Sequence, residues 1–139
     1  MIWQRLALLT IALAVSRACA HPEYQRAFLD RYTKGGGVDK DFRKLARKAK
    51  CNLCHQGKED RTNYNRYGEA FIHRLDEADR LAEEHKKDKE RSAAAIELVA
   101  ALSIDPEDSG APTFGELIAS GELPGGALEE VLKEPSPED

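Results

Sequence analysis

The chain has 139 residues and a formal net charge of −4 at neutral pH, which is enough sequence for one domain. Hydrophobic residues make up 41% of it, and a domain of this size buries only a modest core. The negative balance excludes a pervasive basic surface, so nucleic acid is not a predicted partner.

Residues 1–20 have the pattern of an export signal. After a basic start, the apolar run 6–15 leads to Ala18-Cys19-Ala20, which is typical of a signal-peptidase site before His21. The run is shorter than the roughly 20 residues that a membrane helix needs. The pattern therefore predicts a cleaved signal peptide, a mature protein without a stable membrane span, and a periplasmic or otherwise exported location. An uncleaved anchor and a lipid attached at Cys19 remain alternatives.

Charge is distributed unevenly along the predicted mature chain. Removing residues 1–20 takes away two arginines and no acid, which leaves 19 basic and 25 acidic side chains, or −6. From Asp105 onward there are ten acids and only Lys133 against them. This distribution predicts either a solvated helix face with an acidic tail, or a basic collar that steers an acidic partner. The basic residues that crowd the stretch before Cys51 are Lys40, Arg43, Lys44, Arg47, Lys48 and Lys50.

The mature sequence predicts helices and loops, without a strand. A first helix spans Pro22 to Tyr32 and stops at the glycines 35–37. A second runs from about Asp39 into Cys51, because its apolar residues recur at helical spacing. The apolar stripe of this second helix consists of Phe42, Leu45, Ala46 and Ala49.

A third helix is predicted to begin near Asn63, after a polar loop over residues 56–62. Gly68 lies beside its apolar face. The glycine would either let a flat ring approach the backbone or be a tolerated weak spot. The predicted buried face contains Tyr64, Tyr67, Phe71 and Leu75.

The C-terminal half begins with a charged segment, Asp79 to Arg91, that has the spacing of exposed helical ion pairs. A capping box of Thr113 and Glu116 then predicts a short helix from Phe114 to Ser120. Residues 126–139 are predicted to be an acidic, disordered tail with at most one helical turn. Between these segments, a core helix over 93–102 is predicted to bury Ile96, Leu98, Val99 and Leu102.

The segment Cys51-Asn52-Leu53-Cys54-His55 carries the clearest chemical signal. Two cysteines three positions apart lie on one side of a helical turn, so their sulfurs can form thioethers with the two vinyl groups of a haem. The adjacent His55 then points its imidazole at the iron from the same face. With 3 Cys and 4 His in the chain, chance predicts about 0.002 such patterns. The sequence therefore predicts one haem c per chain, attached through Cys51 and Cys54, with His55 as the proximal iron ligand.

Three other interpretations of the same cysteines stay open. A thioredoxin-like redox pair would follow a strand, whereas a charged helix precedes Cys51. A zinc site would need further ligands, and His73 and His85 are available without a recognisable finger spacing. A disulfide between Cys51 and Cys54 would leave a non-haem interaction module.

The export signal, the 51–55 segment and the helical pattern together resemble the small single-haem c-type cytochromes. The resemblance implies an all-α, cytochrome-c-like helical domain over residues 21–125, packed around one haem. It also implies one-electron transfer as the activity, with Cys51 and Cys54 as covalent anchors and His55 as proximal ligand. Over residues 42–125 the chain is similar to a group of bacterial exported haem proteins, through Gly57-Lys58, Asn65-x-Tyr67-Gly68, 113–118 and 121–125.

The sequence does not identify the second axial ligand of the iron. Common family members place a methionine there, but the only methionine, Met1, is lost with the signal. His73 is predicted to face away from the aromatic stripe, and His85 lies among charged residues that indicate solvent. His21 would be the mature N-terminus, where it could reach the haem or bind copper.

Two haem functions are therefore predicted. The first is an electron carrier outside the cytoplasm rather than an enzyme, because few residues suggest a general base, a nucleophile or a substrate pocket. Its partner would be a redox protein, with an acidic docking face if the basic collar forms. The alternative is a haem-based small-ligand binder or sensor with an open distal site, for which Tyr64 and Tyr67 are candidate hydrogen-bond donors. Oligomeric state is not predicted.

Overall fold

The computed structural model describes residues 22–76 and 88–137, and these residues form an all-α architecture. Within them there is no sheet, only two isolated bridges, His55 with Tyr64 and Ser103 with Thr113. The predicted signal peptide, His21 and His85 lie outside the described residues. The helices are α1 (Pro22–Thr33), α2 (Lys40–Ala49), α3 (Arg66–Glu69), α4 (Asp88–Ala100), α5 (Phe114–Ala119) and α6 (Leu128–Val131), with a 3₁₀ turn at Lys50–Leu53 and a π turn at Ala70–Arg74.

The core is an aromatic cluster that joins helices distant in sequence. Helix α1 packs against α4 and α2, and its Phe28 meets the ring of Tyr67 with 5.8 Å between centroids. The Tyr67 ring also makes edge contacts with Phe71 at 5.0 Å and with Phe114 at 5.2 Å. Tyr24 stacks obliquely on Phe71 at 4.8 Å. One connected set of rings therefore links α1, α3, the π turn and α5, as edge-to-face aromatic packing favours.

Helix α2 forms where the sequence predicts it, because its apolar stripe is buried and its start is capped. The Asp39 carboxylate accepts hydrogen bonds from the backbone N–H groups of Asp41 and Phe42, both at 2.9 Å. This satisfies donors that a helix N-terminus would otherwise leave unpaired. The last turn tightens into the 3₁₀ turn Lys50–Leu53. The exposed face opposite the core carries Lys40, Lys44, Arg47 and Lys48.

The third predicted helix starts later than expected. Asn65 is its N-cap, and the α-helical turn Arg66–Glu69 continues into the π turn. The π turn contains a hydrogen bond that spans five residues, since the Leu75 N–H donates to the carbonyl of Ala70 at 3.2 Å. The predicted buried face is confirmed at Tyr67, Phe71 and Leu75, while Tyr64 is half-buried.

Helix α4 confirms the predicted core helix with one exception. Ile96 and Val99 are buried, and Leu102 packs against the core, but Leu98 is 40% exposed, so its predicted core position was wrong. Leu98 lies two residues from Ile96, about 200° around the helix, and therefore on the far side. The Thr113 capping box is confirmed.

The acidic tail contains the one helical turn that the sequence allows for it, α6. Leu128 and Val131 are buried one helical turn apart in α6 and belong to the hydrophobic core. Because apolar side chains at i and i+3 share one face, this short amphipathic turn docks despite its acidic neighbours. In residues 22–76 and 88–137, no helix is both long and apolar enough to cross a bilayer.

Candidate functional site

The turn after α2 brings the predicted haem residues to one cleft. The backbone N–H groups of Cys54 and His55 both donate to the carbonyl of Cys51, at 3.2 and 3.0 Å. This tight turn directs Cys51, Cys54 and His55 to the same cavity, as their spacing predicts. Its other walls come from α1, α3 and the π turn: Tyr24, Gln25, Lys50, Leu53, Tyr64, Gly68, Phe71 and Ile72.

Lys50, at the entrance to this turn, has a strained backbone. Its φ of 50° makes it the only non-glycine residue with positive φ in the described part of the chain. Such conformations cost about 1–3 kcal/mol and gather at functional sites. The strain immediately precedes Cys51, where the chain turns from α2 into the cleft.

His55 is held between the turn and the third helix. It is 2% exposed, and its ring stacks on Tyr64 with 5.0 Å between centroids and 30° between planes. The two residues form an isolated antiparallel bridge. The bridge continues in the Asn65 N–H, which donates to the Cys54 carbonyl at 2.9 Å. The imidazole therefore has a defined orientation on one wall of the cleft.

The buried side chain of Asn65 holds the turn Cys51–His55, called the cysteine turn below. The Asn65 side-chain amide donates to the carbonyls of Asn52, Leu53 and His55 at 3.0, 3.2 and 3.3 Å. Its side-chain oxygen accepts from the N–H groups of Tyr67 and Gly68, both at 3.1 Å. Asn65 therefore caps α3 and fastens that helix to the turn. This role of Asn65 was not predicted, and its one local signal in the sequence is an asparagine directly before a helical pattern.

Gly68 permits the closest approach between α3 and the cysteine turn. A Cβ at this position would collide with the Cys54 carbonyl oxygen and lie 2.9 Å from Cδ1 of Tyr64. The interpretation of Gly68 as a tolerated weak spot was wrong. The space it provides is taken by the Cys54 backbone and by the ring edge of Tyr64, so this close contact requires glycine.

The two cysteines are not joined to each other. Cys54 carries a free thiol, so its sulfur is not bonded to that of Cys51. The predicted alternative of a Cys51–Cys54 disulfide is therefore wrong for this structure. Residues 21–139 hold no third cysteine, so the predicted mature chain offers both sulfurs for thioether bonds.

Cys54 is a weak nucleophile in the folded chain, because burial raises the pKa of its thiol to about 12 from an ordinary value near 9. At pH 8 the thiolate fraction is lower by about 1,000-fold, one decade for each pKa unit. We expect iodoacetamide to label Cys54 of the haem-free folded chain far more slowly than in urea. The labelling rate should also rise with pH up to about 12, whereas the unfolded chain reaches its plateau above 9. Peptide mass spectrometry at Cys54 measures both rates, and equal rates in the two states would contradict the prediction.

The two tyrosines occupy different places. Tyr64 lines the cleft beside His55. Tyr67 is fully buried in the aromatic cluster, and its hydroxyl has no hydrogen-bond partner in the described residues. Burial raises the pKa of this phenol well above its usual value, so Tyr67 stays neutral. The structure therefore leaves Tyr64, and not Tyr67, as a donor candidate on the cleft wall.

Among residues 22–76 and 88–137, the cleft walls offer the iron no histidine besides His55. His73 is exposed, as predicted, and is not among the residues that line the cleft. Cys51, Cys54 and His55 line one cleft, but within the described residues no three or more His, Cys, Asp and Glu side chains are placed to hold a metal ion by themselves.

The cleft fits a covalently held haem in its chemistry. Two cysteines and one histidine share it, and apolar or aromatic side chains form most of its surface. Its volume is about 20 Å³, whereas sites for molecules of cofactor size usually measure roughly 300–1,000 Å³. A macrocycle would therefore enter only if the walls of the cleft moved apart.

Comparisons of this chain with protein-family models, with curated proteins and with solved structures gave no match.

Proposed function

We propose that the chain is a small exported c-type cytochrome that carries one haem and transfers single electrons. The observation that supports this most directly is the convergence of Cys51, Cys54 and His55 on one apolar cleft. A bound haem would supply a one-electron iron couple, whose potential depends on its axial ligands and on burial.

In this proposal the chain's own residues anchor the haem, orient the His55 imidazole and shield the cleft from water. The sulfurs of Cys51 and Cys54 would hold the macrocycle by two thioethers, and the His55 imidazole would bind the iron. Tyr64 stacks on the imidazole and limits its rotation. Phe71 and Leu53 exclude water from the same wall, which keeps charge changes at the iron in a low-dielectric setting. An apolar cofactor would also enlarge a modest core, at roughly 25 cal/mol per Å² of apolar surface buried.

A second candidate function is a haem-based ligand binder or sensor. The observation that favours it is that His55 is the only histidine on the cleft walls formed by the described residues, and that the chain has no methionine after Met1. An iron without a distal protein ligand binds small molecules such as carbon monoxide.

One experiment tests both functions. The full chain is expressed in cells that export proteins and attach haem, then purified and denatured. We expect haem colour to stay with the polypeptide at one haem per chain, and loss of all colour would reject both functions. Carbon monoxide is then added to the reduced native protein. An electron carrier with two axial protein ligands should change its spectrum little, whereas an open site should change at once.

We further propose that the exposed basic face of α2 steers an acidic redox partner. Its lysines and arginine lie on the helix that leads directly into Cys51, and Lys50 lines the cleft itself. Like-signed side chains near a redox centre raise the local concentration of opposite charge and the rate of encounter, most strongly at low salt.

The charge proposal predicts a salt-dependent effect of Lys48→Glu. At low ionic strength, ferricyanide should oxidise the reduced haem protein several-fold more slowly. Ferricyanide is an anion, and the substitution weakens the positive field that attracts it to the face of α2. Oxidation by a cationic cobalt phenanthroline complex should instead become faster. The control is Lys34→Glu, which makes the same charge change in the loop after α1 and in addition breaks the surface ion pair between Lys34 and Asp30. Equal effects of the two substitutions would contradict a docking face on α2.

A further inference from the structure

The C-terminal segment is fastened to the loop that follows His55. The Gln56 side chain donates to the carbonyls of Glu130 and Lys133, both at 2.7 Å, and the Gly57 N–H donates to the Val131 carbonyl at 2.8 Å. The Glu134 carboxylate accepts from the Lys58 N–H at 2.6 Å. These bonds join residues more than 70 positions apart, and they all reach the loop within a few residues of His55.

Asn52 is the buried centre of this connection. It is 6% exposed, and its side-chain amide donates to the carbonyls of His55, Gly57 and Val131 at 3.1, 2.7 and 3.1 Å. The two amide hydrogens are thus shared among three carbonyl oxygens. One side chain, placed between the two cysteines in sequence, ties the histidine's own backbone to α6.

We infer that Asn52 is a positioning residue that, together with the C-terminal segment, preforms the His55 turn, an inference that rests on the proposed function. The side chain makes no contact with the cleft, since it is not among the residues that line it. It acts through the backbone of His55. Replacing a group that orients a metal-binding histidine, without itself touching the metal, typically lowers the metal affinity by about 10–100-fold.

The first test uses the haem-free full chain and reads His55 directly. Diethyl pyrocarbonate modifies accessible imidazoles, and peptide mass spectrometry separates His55, 2% exposed, from exposed His73, which is the internal standard. Because loss of a buried donor favours local opening, Asn52→Ala should raise the His55 rate on the order of tenfold relative to His73. Asn63→Ala is the control, since it removes an asparagine side chain from the loop between His55 and α3 but none of these bonds. An unchanged His55 rate in Asn52→Ala would overturn the inference.

Gln56→Ala keeps the test decisive if Asn52→Ala does not fold. It removes only the two bonds to Glu130 and Lys133, from a half-buried side chain. A several-fold faster His55 modification is expected, and no change would overturn the part assigned to the C-terminal segment.

The second test uses the haem-loaded protein and separates positioning from general stability. Asn52→Ala should shift the reduction potential, because the imidazole loses its fixed orientation. Thr113→Ala, which destabilises the chain through the remote cap of α5, should not shift it. Equal potentials in wild type and Asn52→Ala would overturn the inference. If the wild type binds no haem covalently, the proposed function fails, while the His55 modification rates still decide whether Asn52 positions the turn.

Discussion

Replacing Cys51 and Cys54 together by serine is expected to release all haem from the denatured polypeptide, in place of one covalently held haem per chain. Serine preserves the size of each side chain but cannot form a thioether, so the change isolates the bond chemistry. Single replacements should each keep one thioether and therefore keep colour with the chain. The measurement is haem absorbance that comigrates with the polypeptide after denaturation and separation.

Two companion variants make the result specific. Cys19→Ser replaces the third cysteine, which lies in the predicted signal peptide, and should leave the covalent haem content unchanged. His55→Ala keeps both sulfurs and removes only the imidazole, so the colour should stay while the spectrum of the native protein changes. Covalent haem in the double serine variant would reject the assignment of the anchors.

The position of Cys51, Cys54 and His55 on one cleft was predictable because the three residues lie within one turn. Spacing alone places Cys51 and Cys54 on one side of that turn and sets His55 next to them. The starts of α2 and α5 were predictable for the same reason, since Asp39 and Thr113 act on N–H groups two or three residues away. Local chemistry determines each of these features.

The surroundings of the site were not predictable from local patterns. Asn52 contacts Val131, 79 residues away, and nothing near either residue in the sequence indicates that pairing. The docking of α6 was hidden by its composition, because acidic neighbours and two prolines favour disorder while only Leu128 and Val131 carry the apolar face. The centre of the core, Tyr67, likewise depends on rings from α1 and α5.

Gly68→Ala is expected to destabilise the fold strongly, although alanine normally favours a helix. The added Cβ would meet the Cys54 carbonyl, a backbone group held by the N–H of Asn65, and would lie 2.9 Å from Cδ1 of Tyr64. Because backbone cannot turn aside as a flexible side chain can, relief requires α3 to move away from the cysteine turn. Overpacking of this kind costs about 3 kcal/mol, near the upper end of the usual range, and lowers the melting temperature by about 10–20 °C.

Gly36→Ala provides the matched control for that substitution. No atom lies within 4 Å of a Cβ built at this position, so the same chemical change meets open space. Its effect should be neutral or slightly stabilising, by up to about 1 kcal/mol, because alanine restricts the unfolded chain. Chemical denaturation of the two haem-free variants measures the difference in their free energies of unfolding. A small, equal effect in both would mean that α3 is not pressed against the Cys54 backbone. The bonds from Asn65 would then have to hold His55 without that close packing.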